Sequence, residues 1–184
     1  MTRTLLCATA AAALLAACSS MPSGQAATVV EAAMDQPGPA AMDFVRMAGA
    51  SDLYEIQSSQ IVMQTTQNAD LRAFAQMMID HHTQTTAAVT AAARSAGMTP
   101  PPPALDAPKS QMIRELQTAQ GMDRDRLYIQ QQVMAHREAL MLHTRYSRTG
   151  DTPQLKAAAA TAVPIVSRHY NAIVAMEEGG GHTM

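Results

Sequence analysis

From Asp43 onward the hydrophobic residues recur every three to four positions, the spacing that places them on one face of an α-helix. Four long segments carry this pattern, and they run over about 43–67, 70–96, 122–148 and 153–178. A shorter amphipathic helix is predicted over about 109–119. Few β-branched runs and few aromatic residues disfavour a sheet. We therefore predict an all-α protein.

The turns between these segments predict how the helices connect. A short turn at Asn68-Ala69 joins the first two long helices, with Asp70 as the expected N-cap of the second. A turn over 149–153 joins the last two. Prolines at positions 100–103 and 108 stop the second helix from continuing. Two hairpins joined by about 24 residues predict a ferritin-like four-helix bundle with one long crossover that contains the short extra helix.

The first 18 residues have the features of a bacterial export signal. Arg3 precedes an apolar run over 5–17, and Leu15-Ala16-Ala17-Cys18 resembles the lipobox of lipoproteins. We predict a signal peptide at 1–17 and acylation of Cys18, which would anchor the protein to a membrane. Ser19, which is not Asp, suits the outer membrane by resemblance to lipoprotein sorting. The alternative is an ordinary signal in which Cys18 is incidental.

The remaining composition predicts where the domain lies and excludes some classes of function. Residues 18–41 are rich in Ala, Ser, Gly and Pro and predict a flexible tether that holds a bundle over 43–178 in the periplasm, and the Gly-rich residues 179–184 predict a disordered tail. A net charge of −2 without a Lys/Arg cluster argues against nucleic-acid binding. The cysteines are Cys7 and Cys18, so we expect no disulfide in the mature domain. Nucleophilic catalysis has no support, because there is no Ser elbow and no phosphate-binding Gly loop.

Four polar residues lie on the inward-facing stripes of the four long helices: Glu55, His82, His136 and His169. In a helical hairpin, residues equally far from the turn lie at the same height. The midpoint of positions 55 and 82 is about 68.5 and that of 136 and 169 is about 152.5, and both fall in predicted turns. All four side chains are therefore expected near the middle of the bundle.

One carboxylate and three imidazoles suit a single transition-metal ion, which could be Zn²⁺, Fe²⁺, Mn²⁺ or Cu²⁺. The alternative is a metal-free bundle, structural or partner-binding, whose Glu and His residues form a buried polar network. Two Met/His pairs spaced four residues apart, Met77/His81 and Met78/His82, would also suit copper. Asp125 lies about 16 Å along the helix axis from His136, too far to share an ion.

Residues 43–176 resemble the bacterial domain of unknown function family 4142, whose members are predicted to be ferritin-like and are often described as outer-membrane proteins. The resemblance rests on the segments Leu53-Tyr54-Glu55-Ile56, Phe74-Ala75-Gln76-Met77-Met78-Ile79-Asp80-His81-His82, Gln131-Gln132-Val133 with His136-Arg137-Glu138-Ala139, and Pro164 with His169. A ferritin-like di-iron site uses Glu-x-x-His on two helices. Here Ile79 precedes His82 and Val166 precedes His169 at that spacing, so we expect no di-iron oxidase, and the sequence favours a binding or structural protein over an enzyme.

Overall fold

The computed structural model describes residues 36–180, and these residues form five α-helices and no strand. The helices are α1 (Ala41–Met63), α2 (Ala69–Ser95), α3 (Ala107–Thr118), α4 (Gly121–Thr149) and α5 (Pro153–Gly180). The all-α prediction is confirmed. The predicted signal peptide, Cys18, most of the tether and residues 181–184 lie outside the described residues.

The four long helices form one bundle built from two hairpins. Helix α1 packs along α2, and α4 packs along α5. The hairpins join where α2 contacts α5 and where α1 contacts α4. Helix α3 lies on the crossover between the hairpins and packs against α1 and α4. None of the described helices combines the length and the apolar character that crossing a membrane requires.

Two apolar clusters fill the opposite ends of the bundle. One cluster contains Phe44, Ala48, Val89, Tyr146 and Leu155, where Phe44 stacks on Tyr146 with ring centroids 3.9 Å apart. The other contains Val62, Leu71, Phe74, Met78, Leu116, Tyr128 and Ile173. Between them lies a layer of buried polar side chains from all four long helices. These apolar ends supply the burial that drives folding, and they enclose the polar layer.

The loop between α1 and α2 differs from the prediction. Helix α1 ends at Met63 rather than near position 67, and Asn68 is the N-cap of α2. The Asn68 side chain accepts hydrogen bonds from the backbone N–H groups of Asp70 (3.0 Å) and Leu71 (3.1 Å). The prediction that Asp70 caps this helix was wrong, because Asp70 already lies in its first turn.

We predict that Asn68→Ala lowers the free energy of unfolding by about 1 kcal/mol, because two N–H groups at the start of α2 lose their acceptor. The matched variant Asp70→Ala loses only the favourable interaction of a carboxylate with the helix dipole, about 0.5 kcal/mol. Urea denaturation followed by circular dichroism measures both. A larger effect at Asp70 than at Asn68 would contradict this assignment of the cap.

Candidate metal centre

Three histidines from three different helices meet in the polar layer. His82 comes from α2, His136 from α4 and His169 from α5, and each is at most 2% exposed. Their ring centroids are 5.4–5.6 Å apart, so the rings form a nearly equilateral triangle. One ligand nitrogen from each ring lies within 4.8 Å of the other two. The structure therefore brings together three of the four predicted ligands.

Each of these rings has one nitrogen engaged in a hydrogen bond. The bonds join His82 Nδ1 to Asp52 Oδ1 (2.8 Å), His136 Nδ1 to the Gln132 carbonyl oxygen (2.9 Å) and His169 Nε2 to His81 Nδ1 (2.7 Å). The opposite nitrogens are His82 Nε2, His136 Nε2 and His169 Nδ1, and they have no hydrogen-bond partner among residues 36–180. In a neutral imidazole one nitrogen donates and the other accepts. When a ring is neutral and its engaged nitrogen carries the proton, the opposite nitrogen has a free lone pair. These three nitrogens lie close to one another.

Glu55 lies beside this triangle and does not belong to it. Its side chain is fully buried, and its Oε1 is 3.7 Å from His136 Nδ1, which is longer than a hydrogen bond. Both of its carboxylate oxygens lack a partner among the described residues. Glu55 is also absent from the set of mutually close ligand atoms. The predicted four-ligand set thus divides into three histidines and one adjacent carboxylate.

Asp52 is a member of the site that the sequence analysis missed. It is 4% exposed, and its two oxygens accept from His82 Nδ1 and from the Thr86 hydroxyl (2.9 Å). A signal for it existed in the sequence, because Asp52 lies one helical turn before Glu55 on the same face of α1. The midpoint of positions 52 and 82 is about 67, inside the same loop.

Burial and neighbouring charges give the three histidines different proton affinities. Burial lowers the pKa of His82, but the hydrogen bond and charge of Asp52 and the charge of Glu55 outweigh it, so the pKa is raised. Burial lowers the pKa of His136 despite the nearby Glu55. Burial and then the nearby histidines lower the pKa of His169 to about 2. His136 and His169 are therefore neutral at neutral pH, the form in which imidazole binds metals.

A group of hydroxyl and amide side chains surrounds Glu55. The Tyr54 hydroxyl donates to Gln131 Oε1 (2.9 Å), and the hydroxyls of Ser59 and Tyr128 are 2.8 Å apart. Burial raises the pKa of Tyr54 and of Tyr128 well above the usual range, and the charge of Glu55 adds to both effects. Both tyrosines therefore stay protonated and neutral.

The other candidates lie outside the triangle. Asp125 accepts a hydrogen bond from the Thr66 hydroxyl (2.8 Å), which ties the α1–α2 loop to α4. His143 is buried edge-on against Phe44, with ring centroids 5.5 Å apart. Met77 and Met78 pack in the apolar cluster around Phe74. Among residues 36–180, none of these four belongs to the set of mutually close ligand atoms.

The lowered pKa of His169 predicts how the metal-free protein responds to acid. An unfolded histidine titrates near 6.5, so the stability contributed by neutral His169 is present above about pH 6.5 and is lost progressively as pH falls towards its folded pKa. The unfolding free energy changes with pH in proportion to the number of protons taken up on unfolding. We expect His169→Gln to lower this number by about one between pH 6.5 and 4, and so to flatten the slope. Denaturation of the chelator-treated proteins at several pH values measures this, and equal slopes would contradict it.

The comparisons with known proteins identify a family. A family model described as "Domain of unknown function (DUF4142)" matches residues 25–176, which include all five helices up to Met176. No curated protein and no solved structure matches the chain significantly. Because the match covers most of the sequence, the chain belongs to the domain of unknown function family DUF4142.

Proposed function

We propose that this protein binds one divalent transition-metal ion through Nε2 of His82, Nε2 of His136 and Nδ1 of His169. The proposal rests on one observation. In each ring, one nitrogen forms a hydrogen bond and the opposite nitrogen has no hydrogen-bond partner among the described residues. In metal sites, a ligating histidine usually donates its second N–H to a carboxylate, a carbonyl or another acceptor, which fixes the ring for coordination. His82 and His136 follow this pattern with a carboxylate and a carbonyl, and His169 follows it when its Nε2–H donates to His81 Nδ1.

The same observation weighs against a metal-free polar network. Such a network stabilises a core only when its members satisfy one another. Here the three bare nitrogens and both oxygens of Glu55 lack partners among residues 36–180. Leaving a buried polar atom unpaired costs about 1–3 kcal/mol. A metal ion would satisfy the three nitrogens together.

The buried charges support a divalent ion. Asp52 and Glu55 are two carboxylates inside the bundle, and they are at most 4% exposed. A divalent ion on three neutral imidazoles adds two positive charges at the same level. Ionised Asp52 and Glu55 would balance these charges, and a buried charge is tolerated only when it is compensated.

The ligand atoms narrow the choice of metal. Three imidazole nitrogens suit Zn²⁺, Cu²⁺ and Fe²⁺, whereas Mn²⁺ prefers oxygen ligands. Glu55, the one oxygen ligand of the predicted set, lies outside the triangle. Three protein ligands leave a further coordination position for water or a small molecule. We therefore favour Zn²⁺, Cu²⁺ or Fe²⁺ over Mn²⁺.

We predict that untagged protein, stripped with a chelator, binds one equivalent of Zn²⁺ and that binding raises its melting temperature. His82→Ala, His136→Ala and His169→Ala should each weaken binding at least a hundredfold, because each removes one of three ligands. His143→Ala is the matched control, since His143 is an equally buried histidine outside the triangle, and it should bind Zn²⁺ normally. Isothermal titration calorimetry and elemental analysis measure affinity and stoichiometry.

Two results would reject the metal site. The first is stripped wild-type protein that binds none of Zn²⁺, Cu²⁺ or Fe²⁺, and the second is a variant of the triangle that binds as tightly as the wild type. Should an alanine variant lose its helical circular dichroism, the corresponding His→Gln variant takes its place. If the wild type binds no metal and a variant of the triangle nevertheless has a lower melting temperature, the result supports the polar network instead.

We further propose that the bundle is a periplasmic lipoprotein anchored to the outer membrane through Cys18. The charged start, the apolar run over 5–17 and the small residues before Cys18 support this location. In a Gram-negative bacterium that expresses the full chain, we predict that radioactive palmitate labels the wild type and that Cys18→Ser abolishes the label. Cys7→Ser is the control, because Cys7 lies within the signal and should leave labelling unchanged. Label retained in Cys18→Ser would refute the anchor.

A further inference from the structure

A groove of about 380 Å³ runs along the bundle surface between α2 and α5. Its volume falls in the usual range of small-molecule sites, about 300–1,000 Å³. The residues that line it come from positions 81–89 of α2 and 158–168 of α5. Both helices contribute small and apolar side chains to the lining, which include Ala88, Val89, Ala162 and Ile165. The groove therefore offers space for a short apolar chain.

The polar side chains that line the groove include hydrogen-bond donors. None of the described residues that line it is acidic, while Arg168 is a cation and Gln84 carries an amide. Both are exposed, and neither takes part in a hydrogen bond or an ion pair within residues 36–180. The hydroxyls of Thr85 and Thr161 donate to the backbone carbonyls of their own helices, so they are not free donors.

His81 adds a third donor and joins the groove to the metal centre. Its ring is half-buried, lines the groove and stacks on His169 with centroids 5.0 Å apart. Its Nδ1 is 2.7 Å from His169 Nε2. When His169 donates in that bond, His81 Nδ1 is the acceptor and the remaining Nε2 of His81 carries the proton. That Nε2–H is then a free donor.

We propose that this groove binds a small organic carboxylate with a short apolar chain. The carboxylate would accept hydrogen bonds from Arg168, Gln84 and His81, and the chain would lie against the apolar side chains of the two helices. Guanidinium–carboxylate bonds are charge-assisted and stronger than neutral ones, which favours an anion over an alcohol of the same length. The bound molecule would contact His81, which forms a hydrogen bond with His169. The proposal does not depend on metal binding, since every group that it uses belongs to the groove.

Calorimetric titration with hexanoate tests this proposal on untagged protein, both chelator-treated and Zn²⁺-loaded. We expect hexanoate to bind with one-to-one stoichiometry and at least tenfold more tightly than 1-hexanol. Arg168→Gln should weaken hexanoate binding at least tenfold without changing the melting temperature. Arg137→Gln is the matched control, because Arg137 is an exposed arginine of α4 outside the groove. Ala88→Phe, which fills the groove from an exposed position, should abolish binding.

Three results would overturn the proposal: no hexanoate binding, equal binding of hexanoate and 1-hexanol, or equal effects of Arg168→Gln and Arg137→Gln. The two proposals fail separately. Protein that binds Zn²⁺ but no hexanoate refutes the carboxylate site alone. Protein that binds hexanoate in an Arg168-dependent way but no metal refutes the metal site alone.

Discussion

A buried polar atom must have a partner, and this requirement governs the middle of the bundle. His82, His136 and His169 each satisfy it at one ring nitrogen through a neighbour inside the protein. The other nitrogens, together with the carboxylate of Glu55, are buried without a described partner. A core that only had to fold would be more stable with apolar side chains at these positions. The proposed metal ion would supply the partner that the three ring nitrogens lack.

The hydrogen bonds that orient the three histidine rings depend on different parts of the fold. His136 uses the carbonyl of Gln132, four residues earlier in its own helix, so any α-helix supplies this bond. His82 needs Asp52 from the neighbouring helix, so its orientation depends on the register of the α1–α2 hairpin. His169 depends on His81, which requires α2 and α5 to be in contact. The three histidines are thus positioned by secondary structure, by a hairpin and by the docking of two hairpins.

The sequence was sufficient for the helices and for the level of the site, because hairpin geometry places residues equidistant from a turn at one height. It could not resolve which carboxylate reaches a histidine. Asp52 and Glu55 share one face of α1, and side-chain contacts differ by distances that periodicity does not encode. On α4, helical spacing places Ile129, Val133 and Leu140 on the same stripe as His136, but they are only half-buried, whereas Tyr128, Gln132 and Ala139 are buried. Helix α3 covers part of α4, and no periodic pattern indicates where a crossover helix docks.

The three histidines come from different hairpins, and this has a consequence for folding if they bind the proposed ion. His82 belongs to the α1–α2 hairpin, and His136 and His169 belong to the α4–α5 hairpin. An ion held by all three would join the two hairpins across a long intervening loop, much as a disulfide closes a loop, in a chain whose cysteines are Cys7 and Cys18. Separation of the hairpins would have to break coordinate bonds first. The bound ion would then slow unfolding by cross-linking the two hairpins, as a disulfide would.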